Sequence, residues 1–118
     1  MKPVILCYEK CTTCKKALKW VKEMGYDVEI RPIKEENPTE EELKQWHGKS
    51  GLPLKKFFNT SGNLYKEMKL KDKLPEMSEK EQYHLLSTDG MLVKRPLLVT
   101  EQGVFPGFRQ EAWEELLG

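Results

Sequence analysis

Cys11 and Cys14 stand in the stretch Tyr8-Glu9-Lys10-Cys11-Thr12-Thr13-Cys14-Lys15, between an apolar run and a helical pattern. A Cys-x-x-Cys pair at such a junction reads as a thiol redox site. A thiol attacks as its thiolate, and the start of a helix favours that form through unpaired backbone N–H groups and the positive end of the helix dipole. Cys11 falls at or just before the first helical residue and is the expected nucleophile, its thiolate favoured there. Thr12, Thr13 and Lys15 are the candidate anion-binding residues of the first turn, and Lys10 adds positive charge beside them. Cys14 shares a helical face with Ala17 and Leu18, so it is expected to be the more shielded sulfur, placed to resolve a mixed disulfide formed at Cys11. Core packing is the competing reading of Cys14, whose helical face is apolar, and it is the favoured reading of Cys7. A structural zinc site usually takes four ligands, and His47 and His84 have no matching spacing, so no metal is expected.

Lys94-Arg95-Pro96 is the second feature with chemical potential. It leads into Leu97-Leu98-Val99, where a strand-leading Pro96 is a candidate for a cis peptide bond. Such a bend would set Arg95 beside the Cys11 loop, where a guanidinium can bind an oxyanion or a carboxylate and stabilise a thiolate. The alternative is an exposed arginine before an ordinary trans proline.

These side chains need elements to hold them. Val4 to Cys7 is continuously apolar, as in a central strand covered on both faces. Cys14, Ala17, Leu18, Val21 and Met24 then recur at helical spacing, and Gly25 stops the helix. Asp27 to Arg31 alternates, which predicts a strand nearer the sheet edge and a right-handed β-α-β unit. Thr39-Glu40-Glu41-Glu42 is a capping-box pattern for a helix carrying Leu43 and Trp46 inward and fading near Gly48. Short apolar segments follow, and a second capping box, Ser78-Glu79-Lys80-Glu81, opens a helix through Leu85 and Leu86. Leu97 to Val99 and Val104-Phe105 are strands around the turn Glu101-Gln102-Gly103, and a last helix runs from about Arg109 to Leu117. The order β-α-β, then β-β-α, predicts an α/β, thioredoxin-like fold. Its four-stranded mixed sheet is interrupted by an all-helical insertion at about residues 33–92, within one domain over residues 1–118.

Composition narrows the setting. The chain has 118 residues, 33% of them charged, with net charge +1, so no bulk attraction to nucleic acid is implied. The basic run Lys66, Lys69, Lys71, Lys73 is interrupted by Glu67 and Asp72 and reads as a solvated face. No apolar run approaches a membrane span. The first residues turn polar too soon for a signal peptide, and three cysteines are too few for a disulfide-stapled secreted domain. A reducing, cytoplasmic setting and a monomer are expected.

Over nearly its whole length the chain resembles the arsenate reductase-like family that also contains the regulator Spx, often called ArsC/Spx. The resemblance rests on Cys11-Thr12-Thr13-Cys14-Lys15-Lys16, Phe57-Phe58-Asn59-Thr60-Ser61-Gly62, Asp89 to Pro96, and Val104-Phe105-Pro106-Gly107-Phe108. It implies a thioredoxin-like fold with a helical insertion, and two functional models. In the glutathione- and glutaredoxin-coupled arsenate reductases, one cysteine attacks arsenate held by three arginines. Cys11 matches that cysteine and Arg95 one arginine, while the other two fall at Asn59 and near Phe108, beside Arg109. Losing two such cations removes strong charge-assisted hydrogen bonds to an oxyanion. Spx-like regulators instead use Cys-x-x-Cys as a redox switch and bind the C-terminal domain of the RNA polymerase α subunit. The glycine needed for that contact has its nearest counterpart at Gly51. The insert looks most like the uncharacterised oxidoreductase branch.

The expected activity is therefore a thiol oxidoreductase, with Cys11 attacking a disulfide, a glutathione adduct or an oxyanion. Glutathione, glutaredoxin or thioredoxin would supply electrons, with no bound cofactor. The alternative is a redox-sensing regulator that binds polymerase, without direct contact to nucleic acid.

Overall fold

The computed structural model describes residues 2–118. The first strand, β1 (Val4–Cys7), leads through a tight loop into α1 (Thr12–Met24), which returns to β2 (Glu29–Pro32) alongside β1 in parallel. Two strands close the chain: β3 (Leu97–Val99) pairs antiparallel with β1, and β4 (Val104–Pro106) with β3. The sheet order is β2-β1-β3-β4, so β1 is internal and β2 is an edge, as the apolar and alternating patterns respectively predict. Between β2 and β3 lie α2 (Glu40–Ser50), α3 (Asn63–Glu67), α4 (Leu70–Lys73) and α5 (Glu79–Thr88), with single 3-10 turns at Leu54–Phe57, Leu74–Glu76 and Gly90–Leu92. The last helix is α6 (Gln110–Leu117).

The insertion is helical, with one isolated bridge between Phe58 and Val93 in place of the purely helical and turn content expected. Both predicted capping boxes form, at Thr39–Glu42 and Ser78–Glu81. Helix α2 runs past Gly48 to Ser50 and is stopped by Gly51, whose φ of +66 suits the left-handed cap.

The strand period of two sorts the sheet between two cores. Leu6, Leu97 and Val99 face the insertion with Leu43, Trp46, Phe57, Leu86 and Val93. Ile5, Cys7 and Leu98 face the opposite layer with Cys14, Ala17, Val21 and Trp113. Cys7 therefore meets the inner side of α1 as a matter of register. Two expected core positions are corrected: Met24 is 49% and Ile30 55% exposed. Met24 closes the helix beyond the covered stretch, and Ile30 lies on the edge strand, where the helical layer ends. Gly90 seats the insertion against the end of β2, since any Cβ there would lie 1.9 Å from the Ile33 carbonyl oxygen.

Candidate active site

The loop after β1 presents its cysteines unequally. Cys11 is the N-cap residue of α1, half-buried and extended, and its side chain makes no capping hydrogen bond. Cys14, one turn on, is 1% exposed. Its sulfur accepts the Tyr8 backbone N–H at 3.4 Å. The Cys7 thiol, brought to the same side by the strand register, hydrogen-bonds it as well. That bond is the main reason the Cys14 thiol falls to about 6; the Tyr8 N–H, Cys11 and the Arg95 charge add to it, against the opposing cost of burial. Cys7 is pushed up in turn by its bond to Cys14 and by burial. A stabilised anion thus sits at Cys14, the sulfur expected to be the shielded one. The reason is local: the Tyr8 N–H and the Cys7 and Cys11 thiols converge on the sulfur inside the loop.

The Arg95–Pro96 peptide is cis. The Arg95 guanidinium lies over the Tyr8 ring, 5.2 Å from its centroid, and donates from Nη1 to the Met91 carbonyl at 3.4 Å. Its Nε is buried with no hydrogen-bond partner. From there the guanidinium charge helps to hold Cys14 anionic. Arg95 thus joins Tyr8, Cys11 and Cys14 in one cluster, and Pro96 is buried behind it.

The remaining candidates lie around this cluster. Thr12 and Lys15 are exposed on the first turn of α1. Thr13 and Arg109 line an open groove with Thr60, Lys94, Gly107 and Phe108. Asn59 is half-buried; its backbone N–H donates to Leu92, and its side-chain oxygen accepts from the Ser61 hydroxyl at 3.4 Å. Phe108 packs on Trp113 and Trp20, with ring centroids 5.0 and 5.6 Å apart. Gly51 closes α2, exposed, with open space around it.

Sequence reasoning missed Tyr8, whose ring carries Arg95 and whose N–H reaches Cys14, and it took Cys7 for packing alone. The signal for Cys7 was its parity with Ile5 on β1. Tyr8 carried none beyond its place next to the strand. Among the described residues no helix is long and apolar enough to cross a membrane.

Comparison with known proteins places this geometry. A model of the ArsC family matches residues 6–116. The uncharacterised protein YusI of Bacillus subtilis (strain 168) is 53% identical over 108 residues, 92% of each chain. The regulatory protein MgsR of the same organism is 29% identical over 101 residues, 86% of this chain and 79% of its own. Among solved structures, a protein from Bacteroides fragilis described as ArsC-family related superposes with a TM-score of 0.94 at 57% identity, covering 98% of this chain and 99% of that one. A possible arsenate reductase from Streptococcus mutans UA159 does so at 0.87 with 41% identity, covering 95% and 97%.

Proposed function

We propose that this chain, which belongs to the ArsC family, is a thiol–disulfide oxidoreductase that reduces a disulfide or a glutathione adduct. The observation that carries the reading is the pairing of a half-buried Cys11 with a buried Cys14 whose anion is held by the Cys7 thiol, the Tyr8 N–H and the Arg95 charge. An external sulfur can reach Cys11 and not Cys14. The Cys11 thiol passes its proton to the neighbouring Cys14 thiolate and attacks one sulfur of the substrate. A mixed disulfide forms, and the other substrate sulfur leaves as a thiolate that takes the proton back from Cys14. The restored Cys14 thiolate then attacks the Cys11 sulfur, the Cys11–Cys14 disulfide forms, and the second substrate sulfur leaves as a thiolate that solvent protonates. The substrate gains two electrons, and two external thiols (from glutathione, glutaredoxin or thioredoxin) return the site to its dithiol form. Arg95 holds an anionic group of the substrate or the leaving thiolate. Thr12, Thr13 and Lys15 face the same approach.

Disulfides suit the site better than arsenate. Arg95 is the arginine beside the cysteines, Asn59 is held within its own turn, and Phe108 is committed to an aromatic cluster. Arg109 projects into the neighbouring groove.

A regulator that binds the RNA polymerase α subunit is the second reading. It draws on the regulatory relative MgsR and on the exposed Gly51, next to Leu52 and Pro53 on the groove rim. One assay separates the two: turnover of the neutral hydroxyethyl disulfide by the reduced protein with a recycling thiol donor. The oxidoreductase reading expects turnover lost in Cys11→Ser and arrested as a mixed disulfide in Cys14→Ser. Absence of turnover with every thiol donor, together with capture of the polymerase α subunit that Gly51→Arg abolishes, favours the regulator.

A further inference from the structure

Beside the cysteine loop runs a groove of about 690 Å³ that the reaction as described leaves unused. Its charge is one-sided. Lys55, Lys56, Lys94 and Arg109 line it, and among the described residues no carboxylate lines it or forms an ion pair with any of the four. Between the cations its lining is apolar, with Pro53, Phe105 and Pro106 among it. The groove is continuous with the redox site at two places. Thr13 belongs to the first turn of α1, two residues from Cys11. At the other, the Gly107 N–H donates to the Pro96 carbonyl at 2.8 Å, tying the groove's floor to the Arg95–Pro96 corner. Gly107 adopts φ +89, and the Lys94 stem lies against it, where a Cβ would come within 3.3 Å of Lys94 Cε. A side chain at that position would push into the channel that Lys94 flanks.

We propose that this groove docks an extended acidic peptide segment, with an apolar residue among its carboxylates, next to the reacting cysteine of a protein disulfide. The inference rests on the thiol–disulfide reading and narrows its substrate class. A groove of this volume, lined by aromatic and proline side chains, is far more than an oxyanion occupies. Glutathione offers carboxylates but no apolar side chain to match Phe105 and Pro53. Cations that lack partners on the protein supply charge complementarity, which sets partner choice and encounter rate more than raw affinity. Lys55 and Lys56 are exposed and, among the described residues, form no ion pair, so the paired variant Lys55→Glu, Lys56→Glu is the probe.

Fluorescence anisotropy with a labelled peptide of aspartate, glutamate and phenylalanine is the test. Controls are the same peptide with lysine in place of the acids, and with neutral residues. The acidic peptide should bind the reduced protein more tightly than either control, weaken as salt is added, and lose about tenfold in affinity in the paired variant. Equal binding of acidic and neutral peptides, or an unchanged affinity in the variant, overturns the groove assignment. Displacement of the peptide by glutathione disulfide at equal affinity overturns it too, since the groove then serves a small thiol. Hydroxyethyl disulfide turnover is read alongside: turnover without peptide selectivity removes the groove proposal alone. Acidic-peptide binding without turnover removes the oxidoreductase reading and leaves the docking site.

Discussion

A thiolate in a nearly dry pocket needs donors, and three groups aim at Cys14: the Tyr8 N–H, the Cys7 thiol and the Cys11 thiol. Cys7 contributes most, which gives this residue a positioning role that its burial in a strand concealed. The consequence is measurable as ultraviolet thiolate absorbance of the reduced protein. One titration step is expected near pH 6, absent in Cys14→Ser and moved up toward the ordinary thiol value of 9.0 in Cys7→Val. Cys7→Ser, which keeps a donor in place, should hold the step low. An unmoved step in Cys7→Val would falsify the role given to Cys7. At this scale the sequence disclosed the paired cysteines and Arg95 through residue type and spacing. It left the low Cys14 value unseen, because helix-terminus reasoning acts on position along the chain, whereas the chief donor, Cys7, comes from β1 across the layer.

Elements were the most legible level, since their signals are local. The two capping boxes, the apolar run of β1 and the helical face through Cys14, Ala17 and Val21 all stand where composition and period put them. What spacing could not show is how one element is fastened to another. Arg31, read as a residue of an alternating strand, forks onto Glu42 with Nη1–Oε2 at 2.7 Å and Nη2–Oε1 at 2.9 Å. Glu42 Oε1 also accepts the Thr39 N–H at 3.0 Å, so the same carboxylate caps α2 and pins it to β2. The Arg31 hydrogen bonds are the main cause that holds Glu42 below its ordinary value of 4.5. A carboxyl lowered in the native state stabilises the fold above its ordinary value and stops doing so as pH falls through the lower native value. Glu42→Gln should therefore cost about 1–3 kcal/mol at neutral pH. Urea midpoints should show that deficit shrinking once the pH drops well below the usual carboxylate range. A deficit constant down to strong acid would remove the ion pair as its source.

At the scale of the molecule, the sheet separates an insertion core from a cysteine-bearing core, and the β1–α1 loop joins the second to the surface. Sequence order gave the thioredoxin-like plan because each strand and helix announces itself. The groove was illegible because Lys55, Lys56, Lys94 and Arg109 are scattered along the chain and meet only in the fold. The same architecture makes the redox state and the stability interdependent. With Cys14 lowered to about 6, the reduced fold gains free energy as pH rises from there and holds the full gain above the ordinary thiol value of 9.0. Cys7, raised in the native state, works the other way: its contribution is complete below 9.0 and is lost at higher pH as the unfolded chain ionises. The reduced wild type should therefore gain on Cys14→Ser across the window between those two values, by at most about 1.4 kcal/mol for each pH unit. Above the window the Cys7 effect lowers the wild type, and it is smaller in Cys14→Ser, which removes the partner that chiefly raises Cys7. Oxidation to the Cys11–Cys14 disulfide removes the ionisable sulfur, so the oxidised protein should lack this pH dependence. Denaturant titrations of the reduced wild type, the oxidised wild type and reduced Cys14→Ser at a series of pH values decide it. Parallel profiles for the first and third would mean that no thiolate is stabilised at Cys14, and the resolving step assigned to it would lose its basis.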